Sequence, residues 1–203
     1  NLIITLDPSV ELPKVVAAPS FSLNGCNLFA PATVELTAAE GTIYWSTDNE
    51  TFVPYTEAIA IEASCTVYAY AEVEGTKSAV ATAQYVMAAT YDNVAALLAA
   101  EATSAGVPVI VKLEATIDSL AKNSAFLVEG TNTLMIYDYN IPEDYVVGNV
   151  VKGQLAGIWK DYYGTLELCN VDYTGATVSA PALAPEAEEF LAAYAQLELL
   201  TES

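Results

Sequence analysis

Arginine and histidine are absent from this chain. Its 6 basic residues are all lysine, set against 26 Asp and Glu in 203 residues, for a formal charge of -20. Without histidine it lacks the side chain best suited to proton transfer near neutrality and the commonest metal ligand. Without arginine it has no planar fork for phosphate or carboxylate. Nucleic-acid affinity is built on Lys and Arg displacing counterions from phosphates, so this charge balance disfavours a polyanionic partner. Cysteine is scarce as well. Cys26, Cys65 and Cys169 fit no CxxC or zinc spacing, so each reads first as a small buried hydrophobe, with a Cys26–Cys65 bridge as the alternative. No apolar run reaches the roughly 18 residues of a membrane span, and no basic segment introduces an apolar run after Asn1. Neither a transmembrane segment nor a signal sequence is therefore expected within these residues.

What is present is a hydrophobic fraction of 54%, enough to build a real core in one large domain or two ordinary ones. The texture of the chain changes near residues 88–92. Before that point short alternating strands are broken by turn residues: ATVELTA, GTIYWST and CTVYAYAEVEG. In the last, Cys65, Val67, Ala69, Ala71 and Val73 point one way and Thr66, Tyr68, Tyr70, Glu72 and Glu74 the other, as in a strand with one buried face. A turn at Glu74–Lys77 leads into SAVATAQYVM, and strands at this spacing predict a small Ig/fibronectin-III-like β-sandwich over 17–88.

The run from Thr33 to Tyr85 resembles the sandwich module at the C-terminus of chitobiase and β-hexosaminidase enzymes and of many bacterial secreted proteins. The resemblance rests on Leu36-Thr37-Ala38-Ala39-Glu40-Gly41, Ile43-Tyr44-Trp45-Ser46-Thr47-Asp48, Pro54-Tyr55-Thr56 and Val80-Ala81-Thr82-Ala83-Gln84-Tyr85. It implies an accessory module without catalytic residues, exported to the cell envelope or beyond.

After the boundary, Tyr91-Asp92-Asn93-Val94 predicts a helix capped by Asp92, with Val94, Leu97 and Leu98 on one face and an end at Gly106-Val107-Pro108. VPVIVKLEATID then alternates, with Val107, Val109, Val111, Leu113, Ala115 and Ile117 sharing a face. SAFLVEG and TLMIYDY follow across Gly130-Thr131-Asn132, and NVVKGQLAGIWK and YYGTLELCNVD complete five strands. Five strands with a long first one predict a mainly β oligonucleotide/oligosaccharide-binding (OB-like) barrel over 89–178, with a helix at its N-terminal end. The order of these elements also resembles OB-like domains of bacterial extracellular proteins, some attached to nucleases. From Pro185 the acidic tail, 179–203, predicts a helix with Phe190, Leu191, Tyr194 and Leu197 as its apolar stripe. Residues 1–16 read as an N-terminal segment.

The aromatic stretch GIWKDYYGTLEL, 157–168, predicts a hairpin with its turn centred on Lys160-Asp161. Trp159 would then face Tyr162, Gly157 face Gly164 and Leu155 face Leu166, with Leu155, Leu166 and Leu168 on the buried wall. Gly157 marks a bend or a close backbone approach. Pairing the second and third strands puts Leu127, Leu134 and Ile136 inward and Phe126, Val128, Met135, Tyr137 and Tyr139 outward, with Lys122 and Lys160 near the rim. The candidate ligand platform is accordingly Phe126, Tyr137, Tyr139, Trp159, Lys160, Tyr162 and Tyr163.

Stacked aromatics suit sugar rings or unpaired bases, and the scarcity of lysine turns the expectation towards glycan or protein. Asp138, Asn140, Glu143 and Asp144 lack the spacing of an EF-hand loop, so no metal is expected. No phosphate-cradling loop or nucleophile elbow occurs, and neither enzyme nor cofactor is expected. The predicted function is that of a non-catalytic extracellular or surface accessory or adhesion protein. The rival readings are a single-strand-binding barrel associated with a nuclease, and a structural spacer whose aromatic face is covered by its own chain.

Overall fold

The computed structural model describes residues 15–182, and the chain divides into two compact units, Asn1–Ala88 and Ala89–Ser203. The C-terminal helix expected from Pro185 and all but the last two residues of the 1–16 segment lie outside the described residues. The described part is mainly β, with one short helix.

In the first unit a main sheet runs in the order Cys26–Leu28, Ala81–Met87, Cys65–Val73, Thr42–Ser46, Val53–Pro54, with Thr76–Lys77 folding back onto Cys65–Val73. Glu74 and Gly75, both at positive φ, make the two-residue turn of that return. ATVELTA forms two strands instead of one. Ala32–Val34 pairs with Ile59–Ile61 and Leu36–Thr37 pairs with Ser20–Phe21, so the chain changes ladder at Glu35. The core draws Val34, Leu36, Ile59 and Ile61 from these ladders and Val67, Ala69, Ala83 and Tyr85 from the main sheet. Tyr70 lies on the outward face yet is buried, stacked on Tyr44 at 5.3 Å with the Lys77 ammonium 4.5 Å from its ring centre.

The Cys26–Cys65 bridge does not form. Both residues register with Tyr85, Cys26 from one side and Cys65 from the other. A whole strand lies between them, so their Cα atoms are two strand spacings, about 10 Å, apart, beyond the roughly 7 Å limit of a disulfide. All three cysteines are free.

The second unit contains a closed barrel of five strands: first Val107–Ala121, second Ser124–Glu129, third Asn132–Tyr137, fourth Val150–Tyr162 and fifth Thr165–Asp172. The order around the wall is first, second, third, fifth, fourth and back to first. All neighbours are antiparallel except the third and fifth. The alternation read from VPVIVKLEATID holds, for Val109, Val111, Leu113, Ala115 and Ile117 all enter the core. The second and third strands pair as expected, with Leu127, Leu134 and Ile136 inward, but across the shorter turn Gly130-Thr131, which sets Leu127 opposite Leu134.

The helix is shorter than expected, Val94–Leu98, and its cap is Asn93, whose Oδ1 accepts from the Ala96 N–H. Asp92 instead pairs with Lys112 at 2.8 Å across the sheet. Glu129 also serves this helix: one carboxylate oxygen accepts from the Val94 N–H and the other from the Glu114 N–H, tying the helix to the barrel wall. Val94 and Leu97 are fully buried in the barrel core.

Candidate functional site

The hairpin of the fourth and fifth strands turns three residues later than expected. Tyr162 registers with Thr165, Lys160 with Glu167 and Trp159 with Leu168, so the turn is Tyr163-Gly164, not Lys160-Asp161. Both turn residues have positive φ, as a type I′ hairpin needs, and the Asp161 carboxylate accepts from the Gly164 N–H at 2.6 Å. The displacement is an even number of register steps, so Leu155, Leu166 and Leu168 keep the inward face they were assigned, whereas Tyr162, expected opposite Trp159, now belongs to the fourth strand and takes the other face. Leu155 and Leu168 are buried in the core and Leu166 packs against it, while Ile158, Lys160 and Tyr162 face out.

Further along, the fifth strand carries one extra residue: Ile158 registers with Cys169 but Ala156 with Asp172. Asn170 takes the positive φ of this bulge, a conformation Asn tolerates better than most residues. Gly157 lies opposite, and a Cβ there would come within 2.9 Å of the Cys169 carbonyl oxygen. The close approach expected at Gly157 is therefore made by Cys169 and not by Gly164.

The outer faces of the third, fifth and fourth strands form a groove of about 610 Å³ beside this bulge. Tyr137, Tyr139 and Tyr162 stand around it; the first two meet edge to face at 5.7 Å with their hydroxyls 3.2 Å apart. Tyr139 is 76% and Tyr162 53% exposed, and the Lys160 ammonium lies 5.3 Å from the Tyr162 ring centre. Glu167 belongs to the outward side of its strand but is only 6% exposed, because the groove closes around it. Its Oε1 accepts from the Cys169 thiol at 3.2 Å. Asn140 and Asn170 also line the groove, and their side-chain amides make no hydrogen bonds to other described residues. The groove thus combines exposed ring faces with amide, carboxylate and ammonium groups, and has one cation for its two carboxylates, Glu167 and Asp138.

Of the seven expected platform residues, this groove gathers Tyr137, Tyr139, Lys160 and Tyr162. Tyr163 stands at the hairpin tip, 94% exposed. Phe126 faces outward on the second strand and does not line the groove. Trp159 is not on the platform: it is 0% exposed, inside the barrel, opposite Val107 and Leu168. Glu167, Cys169, Asn140 and Asn170 are site residues that sequence reasoning missed. Only the outward parity of Glu167 and Cys169 could have pointed to them.

Two groups in the groove are held out of reactive states. Asp138 has both carboxylate oxygens engaged, one by the Asn140 N–H at 2.8 Å and one by the Val171 N–H at 2.7 Å. Burial, together with the bond to Glu167, pushes the Cys169 thiol up to about 12. At pH 8 its thiolate is then a minor species, and iodoacetamide should alkylate Cys169 at least about tenfold more slowly than a free cysteine, the greater nucleophilicity of a high-pKa thiolate offsetting part of the loss in thiolate fraction. Timed alkylation read by peptide mass checks this, and labelling at the free-thiol rate contradicts it. Among the described residues no cluster of His, Cys, Asp and Glu could hold a metal ion, and no helix is long and apolar enough to cross a membrane.

No protein-family model and no curated protein matches this sequence.

Proposed function

We propose that this protein is a non-catalytic accessory module that binds a neutral carbohydrate in the barrel groove, at a cell surface or outside the cell. The observation that carries the reading is that the half-buried Tyr137 and the exposed Tyr139 and Tyr162 line one groove with the polar residues Glu167, Asn140 and Asn170. A sugar presents an apolar ring face edged with hydroxyls and needs both kinds of surface, whereas an apolar peptide needs only the first. A phosphate chain would meet Lys160 as the sole cation beside two carboxylates, which disfavours a nucleic acid.

The strand order, with the third and fifth strands parallel, supports reading the barrel as OB-like. The first unit, with ladders and main sheet sharing one core, supports reading it as a chitobiase-C-terminal-like sandwich that carries the binding unit. The state of the groove's acids supports the non-catalytic reading. A glycosidase needs two free carboxyl groups flanking the bond, and here Asp138 is consumed by backbone N–H groups.

Amide-resolved NMR of the ¹⁵N-labelled protein, titrated with β-1,4-linked hexamers of glucose, xylose, mannose and N-acetylglucosamine at low and high salt, tests this. We expect one sugar series to shift amides of Met135–Asn140 and Ile158–Asn170 equally at both salt concentrations, and Tyr139→Ala to weaken that response. Silence with every sugar would refute the carbohydrate reading. A response to a short single-stranded oligonucleotide that fades with salt would replace it with the single-strand reading.

A further inference from the structure

We infer that the hairpin tip is a second subsite of the same groove, so that the ligand is a linear carbohydrate chain crossing the Lys160–Tyr162 ridge and not a single terminal sugar. This rests on the carbohydrate reading of the groove. A second hollow of about 410 Å³ lies beyond that ridge, lined by Ser104, Asp161 and Tyr163 and sharing Lys160 and Tyr162 with the groove. Each hollow has its own edge-to-face tyrosine pair: Tyr137 with Tyr139 at 5.7 Å, and Tyr162 with Tyr163 at 4.9 Å. Each also has hydroxyl or carboxylate groups beside the rings, which is the composition a repeating polar ring requires.

The conformation of Tyr163 is the independent argument. It occupies the first central position of a type I′ turn at φ 52°, where Asn, Asp or Gly is the relaxed choice and a bulky residue is an outlier. It is also 94% exposed, and its one ring contact is the edge-to-face pair with the exposed Tyr162, so little packing within its unit offsets the strain. A strained, uncovered aromatic ring held out beside a hollow is accounted for by a contact made with something outside the chain.

Calorimetric titration of the full chain with dimers and hexamers of the four β-1,4-linked sugars tests the inference, using wild type, Tyr163→Asn and Tyr139→Ala. Wild type should bind the hexamer of one series more tightly than its dimer by more than the statistical advantage of a longer chain. Tyr163→Asn, which suits the turn better and should melt no lower than wild type, should lower hexamer affinity about tenfold and leave the dimer unchanged. Tyr139→Ala should weaken both lengths. An unchanged hexamer affinity in Tyr163→Asn, or equal losses for dimer and hexamer, overturns the second subsite while leaving the groove reading intact. Failure of wild type to bind any of the sugars overturns the groove reading, and the subsite with it.

Discussion

Trp159→Ala should destabilise the barrel unit by about 3–5 kcal/mol, the usual cost of emptying a large buried aromatic site. The side chain is 0% exposed within the barrel core, in register with Val107 on one side and Leu168 on the other. Marginal stability of about 5–15 kcal/mol makes this a large share of the total. Trp159→Phe should cost far less. It keeps most of the volume and removes an indole N–H that has no hydrogen-bond partner among the described residues, a group that itself penalises burial. Urea denaturation followed by circular dichroism would separate the two substitutions. A loss below about 1 kcal/mol for the alanine variant would mean that the ring is not the keystone of the barrel. In a Trp45→Phe background the Trp159 emission should be strongly blue-shifted and indifferent to any sugar that fills the groove.

That prediction reverses the role first assigned to Trp159, and the reversal is instructive because the information needed was already in the alternation. Trp159 is four residues from Leu155, so a strand that buries Leu155 buries Trp159 too. Counting it as a platform residue followed its chemistry and neglected its parity. The turn was misplaced for a different reason. Asp161 is a strong turn former, and Tyr163-Gly164 lacks the Asn-Gly or Asp-Gly pair that usually announces a type I′ hairpin. Asp161 does serve the turn, but from its flank, through the Gly164 N–H. The helix cap slipped by one residue because Asp92 and Asn93 are equally good caps by type, and the choice was made by Lys112 on another strand.

The polar residues of the groove were legible only as the outward parity of Glu167 and Cys169. Glu167 alternates outward like any solvent-facing charge, yet it is buried, three residues before the bulge at Asn170 that adds a residue to the fifth strand alone. A bulge changes the count on one strand of a pair by one. Nothing in CNVD marks it without knowing that the partner strand presents Gly157 there. The five-strand order was legible because long alternating runs report which face is buried. The site was half legible because its rims are aromatic, and the bulge beside it depends on how two strands disagree in length.

Asp138→Ala should cost about 2–4 kcal/mol and open the barrel at one seam, although the residue lies beyond the last register pair. The third and fifth strands meet through two pairs, Ile136 with Leu168 and Tyr137 with Cys169, whereas the first and fourth meet through ten. The parallel seam is the weakest joint of the wall. Asp138 extends it by one step, since its carboxylate accepts from the Val171 N–H in the place a backbone carbonyl would fill, and from the Asn140 N–H at the start of the next loop. Hydrogen bonds to a charged acceptor contribute about 1.5–3 kcal/mol each, and losing both leaves two part-buried donors unmet. The release of a carboxylate that is only 7% exposed offsets part of that cost. Asp138→Asn keeps one acceptor oxygen but turns an amide donor towards the other N–H, and should fall between alanine and wild type. Native-state hydrogen exchange gives the most local readout: the Val171 amide should lose protection in Asp138→Ala while amides of the first–fourth seam retain theirs. Because Asn140 and Asn170 sit on either side of this joint, the same substitution should weaken sugar binding without removing any ring from the groove. A stability change within about 0.5 kcal/mol together with an unchanged Val171 exchange rate would show that the two backbone pairs alone close the barrel.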